Sequence, residues 1–173
     1  MNEELRVLIN NLTQDIINLF NIQIPIRDIN QVVNQLGGQI EERSMPDNMI
    51  DGSVRKVNDG FVISVSPFQT EERRKFTIAH ELGHLFLHMG YIISPEMWDR
   101  QRNATYYRAG DSLLEYQANE FAAAFLMPRD EYKKIMDRYT VGSSVETKKI
   151  AEYFGVSVSA ASNRGKFLGY LQW

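Results

Sequence analysis

Between residues 3 and 20 apolar side chains recur at three- and four-residue spacing: Leu5, Leu8, Ile9, Leu12, Ile16 and then Leu19 or Phe20. That period predicts one amphipathic helix with a core-facing stripe. Pro25 and Asp28 introduce a second, shorter helix carrying Ile29, Val32, Val33 and Leu36, and Gly37-Gly38 stops it. Beyond that point the repeat shortens from about 3.6 residues to about 2. Residues 39–43, 52–57 and 60–66 read as three short strands, separated by turn signals at Pro46-Asp47-Asn48 and Asn58-Asp59-Gly60. A sheet this small is expected to offer an edge on which an extended polypeptide can pair.

The helical period returns at Thr70. This residue suits an N-cap, Glu71 and Glu72 suit the positive end of the helix dipole, and Gly90 marks the stop. Phe76, Ala79, Leu82, Gly83, Phe86 and Leu87 form its predicted buried stripe. Residues 90–110 follow with no clean period and many aromatic and basic side chains, among them Tyr91, Trp98, Arg100, Arg102, Tyr106, Tyr107 and Arg108. A connection this long suits a lid over a cleft, from which a Tyr or Arg could stabilise an oxyanion, while packing or solvated charge is the expected role of each residue taken singly. The next helix begins at Asp111 or Ser112 and ends before Pro128, with Leu114, Ala118, Phe121, Ala122 and Phe125 inward. Its small residues Ala118, Ala122 and Ala123 permit close packing on the preceding helix.

The last stretch reads as a separate helical unit, dividing the chain into 1–140 and 141–173. Ser143-Ser144-Val145-Glu146 has the form of a capping box, Gly155 a turn, and Ser157 a second cap. Residues 149–164 resemble a helix-turn-helix. Lys148, Lys149, Arg164 and Lys166 only slightly outnumber Glu146 and Glu152, a thin footprint for DNA, so a structural or partner-docking role is expected instead.

Composition narrows the class without naming a chemistry. The 173 residues, 43% hydrophobic and 24% charged, fit an ordinary globular chain with an α+β core. A net charge of -3 gives no overall attraction for nucleic acid or acidic membranes. The absence of cysteine excludes disulfides, a thiolate metal site and a thiol nucleophile. With no basic leader and no long apolar run, the expected location is the cytoplasm.

The chemistry concentrates in His80-Glu81-Leu82-Gly83-His84, an HExxH pattern inside the predicted third helix. One helical turn separates the two imidazoles, so both can reach one ion, while Glu81 lies about 100° round from His80. In a chain with three histidines the pattern arises by chance ~0.004 times. Zinc suits two imidazoles and a carboxylate, with a fourth position left for water. His88 lies about 12 Å along the axis from His80, too far for the same ion, and is expected to be a hydrogen-bonded structural histidine. In the next predicted helix, the fourth, Glu115 and Asn119 share a face, which suggests Glu115 as the third ligand and Asn119 as the residue holding a ligand imidazole in its tautomer. Glu120, about 100° away from Asn119, is expected to be a surface charge.

Together FTIAHELGHLFLH and EYQANEFAAAFLMP resemble the signature of the ImmA/IrrE family of zinc metallopeptidases, in which HExxH precedes a Glu-x-x-x-Asn helix ending in Leu-Met-Pro. The likeness extends over roughly residues 20–170. It implies a zincin-like core of helices with a small antiparallel or mixed sheet, with His80, His84 and Glu115 as ligands and Glu81 as acid and base. Relatives often carry a second acidic residue two places before the Asn; here it is Gln117, leaving Glu115 as the carboxylate. The resemblance also implies a protein substrate, a DNA-binding repressor of helix-turn-helix type, whose cleavage would derepress mobile-element or stress genes. A non-catalytic or toxin-antitoxin-type regulatory binding module with a structural or vestigial metal site is the alternative class.

Overall fold

The computed structural model describes residues 1–44, 51–101, 105–106 and 112–172. Its first layer is helical. Helix α1 (Glu3–Leu19) is capped by the Asn2 side chain, and α2 (Ile29–Gln35) by Asp28, whose carboxylate accepts from the amides of Asn30 and Gln31. The core face of α1 is narrower than its apolar pattern suggested. Ile9, Thr13, Ile16 and Ile17 are buried, whereas Leu8 and Leu19 are 63% and 72% exposed. Thr13 can occupy a core position because its hydroxyl donates to the carbonyl of Ile9 at 2.6 Å, leaving no polar atom unsatisfied.

Strands β1 (Gly38–Glu42), β2 (Gly52–Val57), β3 (Gly60–Val65) and β4 (Thr105–Tyr106) form a mixed sheet in the order β1-β3-β2-β4. β1 runs parallel to β3, and β2 is antiparallel to both β3 and β4. Asn58 at positive φ and Asp59 close the β2–β3 hairpin. Val54, Phe61, Ile63 and Val65 enter the core, and because Val62 and Ser64 between them are buried as well, β3 is covered on both faces instead of alternating between core and solvent. The edges of the sheet are β1 and β4.

Helix α3 (Glu71–Leu87) runs beneath β2 and β3 and packs most extensively on α5 (Ser112–Leu126). Thr70 caps it, as expected. Its burial is not a stripe: from Thr77 to Phe86 every residue is buried, because the sheet covers one side and α5 the other. The α3–α5 approach depends on Gly83, where an added Cβ would lie 2.9 Å from the Ala118 Cα and 3.0 Å from its carbonyl oxygen.

Between α3 and α5 the chain is more ordered than its aperiodic sequence suggested. Helix α4 (Pro95–Arg100) begins at a Ser94 cap, and Tyr91 packs edge-on against Trp98 with ring centroids 4.8 Å apart. The Lys56 ammonium sits 4.6 Å from the Trp98 ring centroid and donates to the Trp98 carbonyl. Tyr91 donates its hydroxyl to the Leu36 carbonyl. These two aromatics are therefore anchors for the connection. Pro46-Asp47-Asn48, Arg102, Tyr107, Arg108 and Asp111 lie outside the described residues, as do the details of the Tyr106 side chain.

Helix α6 (Arg129–Arg138) is followed by a two-stranded hairpin, β5 (Thr140–Val141) and β6 (Ser144–Val145), then α7 (Thr147–Phe154) and α8 (Val158–Phe167). The capping box anticipated at residues 143–146 does not form. Ser144 and Val145 are paired with Val141 and Thr140, and α7 starts at Glu146 without a side-chain cap. Gly155, left-handed at φ 64, makes the turn to α8, and Ser157 caps α8 through the Ala160 amide. Ile150, Ala151, Phe154, Val156 and Ala161 join the same buried cluster as α3 and α5.

Candidate metal centre

On α3 the one-turn spacing brings His80 and His84 together, their ring centroids 4.7 Å apart. Glu115, on the first turns of α5, faces both. Its Oε2 lies 3.3 Å from His80 Nε2 and its Oε1 3.2 Å from His84 Nε2, while the two Nε2 atoms are 3.0 Å apart. The imidazoles are buried and Glu115 is 27% exposed, so the triangle is closed on the protein side and reached from the Glu115 side.

The other ring nitrogens decide what this triangle means. His80 Nδ1 lies 2.9 Å from Asn119 Oδ1, an amide oxygen that only accepts, so the contact is a hydrogen bond in the tautomer that carries the His80 proton on Nδ1. Its Nε2 is then a lone pair aimed at Glu115 and His84. Three electron-rich atoms within about 3 Å suit a shared cation: tetrahedral ligands at 2.0–2.1 Å from zinc are separated by about 3.4 Å. Among the described residues, His80, His84 and Glu115 form the one cluster of this kind able to hold a metal ion, with donor atoms within 4.8 Å of one another. Two nitrogens and a carboxylate suit zinc, and also other divalent first-row ions.

Glu81 is 2% exposed and lies against the start of β2. A Cβ on Gly52 would come within 3.1 Å of its Oε1 and 2.6 Å of Thr77 Cγ2, so the close approach requires glycine. The polar contacts of His88 include Nδ1 to His84 Nδ1 at 2.9 Å and Nε2 to Gln117 Oε1 at 2.9 Å. The sequence expectation of a hydrogen-bonded histidine describes it, but the identity of its partners depends on how α5 lies against α3. Spacing did not reveal Gln117.

Glu120 is a correction. It is 6% exposed, because α8 and α1 cover that side of α5, and it pairs with Arg164 Nη1 at 3.0 Å and Arg6 Nε at 3.3 Å. A buried carboxylate is tolerated there because cations and the Asn10 amide satisfy it. Beside it a cavity of about 610 Å³ opens between α3, α5 and α8, lined in part by Phe76, Tyr116, Asn119, Ala123 and Phe167. Asn119 thus touches both His80 and this recess.

The fold and donor set define an α+β protein of the HExxH class. The chain belongs to the IrrE N-terminal-like domain family, Peptidase_M78, which it matches over residues 33–166. That family is one of metal-dependent peptidases, and the His80, His84 and Glu115 cluster could hold such an ion. No curated protein sequence matches the chain. Among solved structures it is similar to a Mycobacterium tuberculosis transcriptional regulator, with a TM-score of 0.57 and 17% identity over 90% of this chain and 45% of that one. At that identity the likeness is one of fold, and the chain spans less than half the regulator's length. Among the described residues no helix is long and apolar enough to cross a membrane.

Proposed function

We propose that the chain is a zinc-dependent endopeptidase whose substrate is a DNA-binding repressor in the cytoplasm. The observation that carries this reading is the convergence of His80 Nε2, His84 Nε2 and the Glu115 carboxylate on one point, with Glu81, the buried residue next to His80, on the same helix. His80, His84 and Glu115 would hold the metal, which when bound supplies a Lewis acid that polarises a carbonyl and acidifies an attacking water. Glu81 would act as the acid and base, its carboxylate accepting a proton from the attacking water and giving it to the leaving amine. Asn119 keeps the proton of His80 on Nδ1 and so leaves Nε2 available. The recess beside Asn119, largely apolar, gives a substrate side chain a place to be buried. Residues 141–173 serve as a structural and partner-docking unit rather than a DNA reader, a role supported by the burial of Arg164, whose charge faces Glu120 and not solvent.

The test pairs wild type with Glu81→Gln, both loaded with zinc and incubated with a purified DNA-binding repressor of helix-turn-helix type. New fragments with wild type and an intact repressor with Glu81→Gln, at equal metal content, are expected. An intact repressor in both would remove this substrate; equal cleavage by both would remove the role of Glu81. Retention of the biological effect by Glu81→Gln would favour a binding module.

A further inference from the structure

We propose that Gln117 and His88 act as a positioning pair that fixes His84 in the tautomer able to ligate a metal. This rests on the metal-centre reading above. A neutral imidazole has one proton for two nitrogens, so a chain of such rings admits few proton arrangements. Here the chain runs from the Gln117 side-chain amide to His88 Nε2, and from His88 Nδ1 to His84 Nδ1, with both contacts 2.9 Å long. Each contact holds one proton.

With the Gln117 oxygen facing His88, that oxygen can only accept, so His88 carries its proton on Nε2. His88 Nδ1 is then bare and accepts from His84 Nδ1–H. His84 Nε2 is left as a lone pair, directed at the point it shares with His80 Nε2 and Glu115. Rotating the Gln117 amide by half a turn reverses every step. Its NH2 would donate to His88 Nε2, His88 Nδ1–H would donate to His84, and the proton of His84 would move to Nε2, where it blocks ligation. One amide therefore selects between a ligating and a non-ligating His84.

The arrangement parallels the one at His80, where Asn119 sets the tautomer directly. Two amides of α5 thus prepare the two imidazoles of α3, Asn119 by contact and Gln117 through a third histidine. The pair is half-buried beside the site, and neither residue reaches the shared donor point, so both act through His84.

The chain contains only three histidines, which makes the proton positions directly measurable. Multiple-bond 1H–15N spectra of metal-free and zinc-loaded protein, assigned with single-histidine variants, should show Nδ1–H at His80 and His84 and Nε2–H at His88, already in the metal-free state. Gln117→Leu should mix the tautomers of His84 and His88 and weaken zinc binding in chelator competition by roughly 10- to 100-fold. Gln117→Glu, which keeps an acceptor, should retain the wild-type tautomers and affinity. Unchanged circular dichroism of both variants separates this from loss of fold. Nδ1–H at His88 in wild type, or wild-type tautomers and affinity in Gln117→Leu, would overturn the proposal. Wild type that binds no zinc would sink the metal reading alone, because the metal-free spectra still decide the tautomers.

Discussion

Arg164 of α8 lies against Glu120 of α5 with Nη1 3.0 Å from Oε1, and both side chains are almost wholly removed from solvent. The same guanidinium donates to the Met127 carbonyl and to Asn10 Oδ1, so one residue ties α8 to α5 and α1. Removing either partner strands a buried charge, a loss of about 3–5 kcal/mol. Glu120→Ala and Arg164→Met should each lower urea-unfolding stability by that order, and Glu120→Gln by less. A loss within experimental error for Glu120→Ala would show that the pair does not hold α8 in place.

Gly83 lets α3 and α5 approach until the Ala118 backbone occupies the space of a Cβ. Backbone cannot rotate away as a side chain can. Gly83→Ala should therefore separate the two helices, at a cost of roughly 1–3 kcal/mol, and pull Glu115 away from His80 and His84. The expected result in thermal unfolding with zinc titration is a lower midpoint together with weaker metal binding. Full zinc affinity in this variant would show that Glu115 can follow the ligands on its own.

Lys75 is buried, and its ammonium donates to the carbonyls of Ile26 and Phe154 at 2.6 Å each. Burial first, and the Arg27 charge second, pull it from an ordinary lysine value of 10.5 down to about 8. Between those values the unfolded chain keeps the proton that the folded chain has released, so unfolding takes up a proton and stability rises with pH. The contribution is complete above the unfolded value and is lost as pH falls through about 8. Lys75→Met lacks it. Denaturation of both proteins from pH 8 to pH 10 should show wild type gaining on the variant, and parallel curves would contradict the assignment.

The elements were legible where period and cap agreed. Asp28, Thr70 and Ser157 cap the helices their positions implied, and the HExxH spacing alone placed His80 and His84 on one face. Glu115 and Asn119 were legible for the same reason, as residues one turn apart on α5 that both meet α3. What escaped was whatever depends on a third element. Glu120 reads as a surface charge until α8 brings Arg164 to it, and Leu8 reads as core until α1 settles with Thr13 inward. Ser143-Ser144-Val145-Glu146 fits a capping box as a string, but pairing with residues 140–141 uses part of it as a strand. Gln117 has no periodic relation to His88; only the packing of α5 on α3 joins them.

Whether His80, His84 and Glu115 together hold one metal ion is decided by elemental analysis. Wild type and Glu115→Ala would be purified side by side without chelator and their metal content measured per chain. About one zinc in wild type and strong loss in the variant, with both folded, is the expected result. Well-folded wild type that holds no metal, even after zinc is supplied, would contradict it.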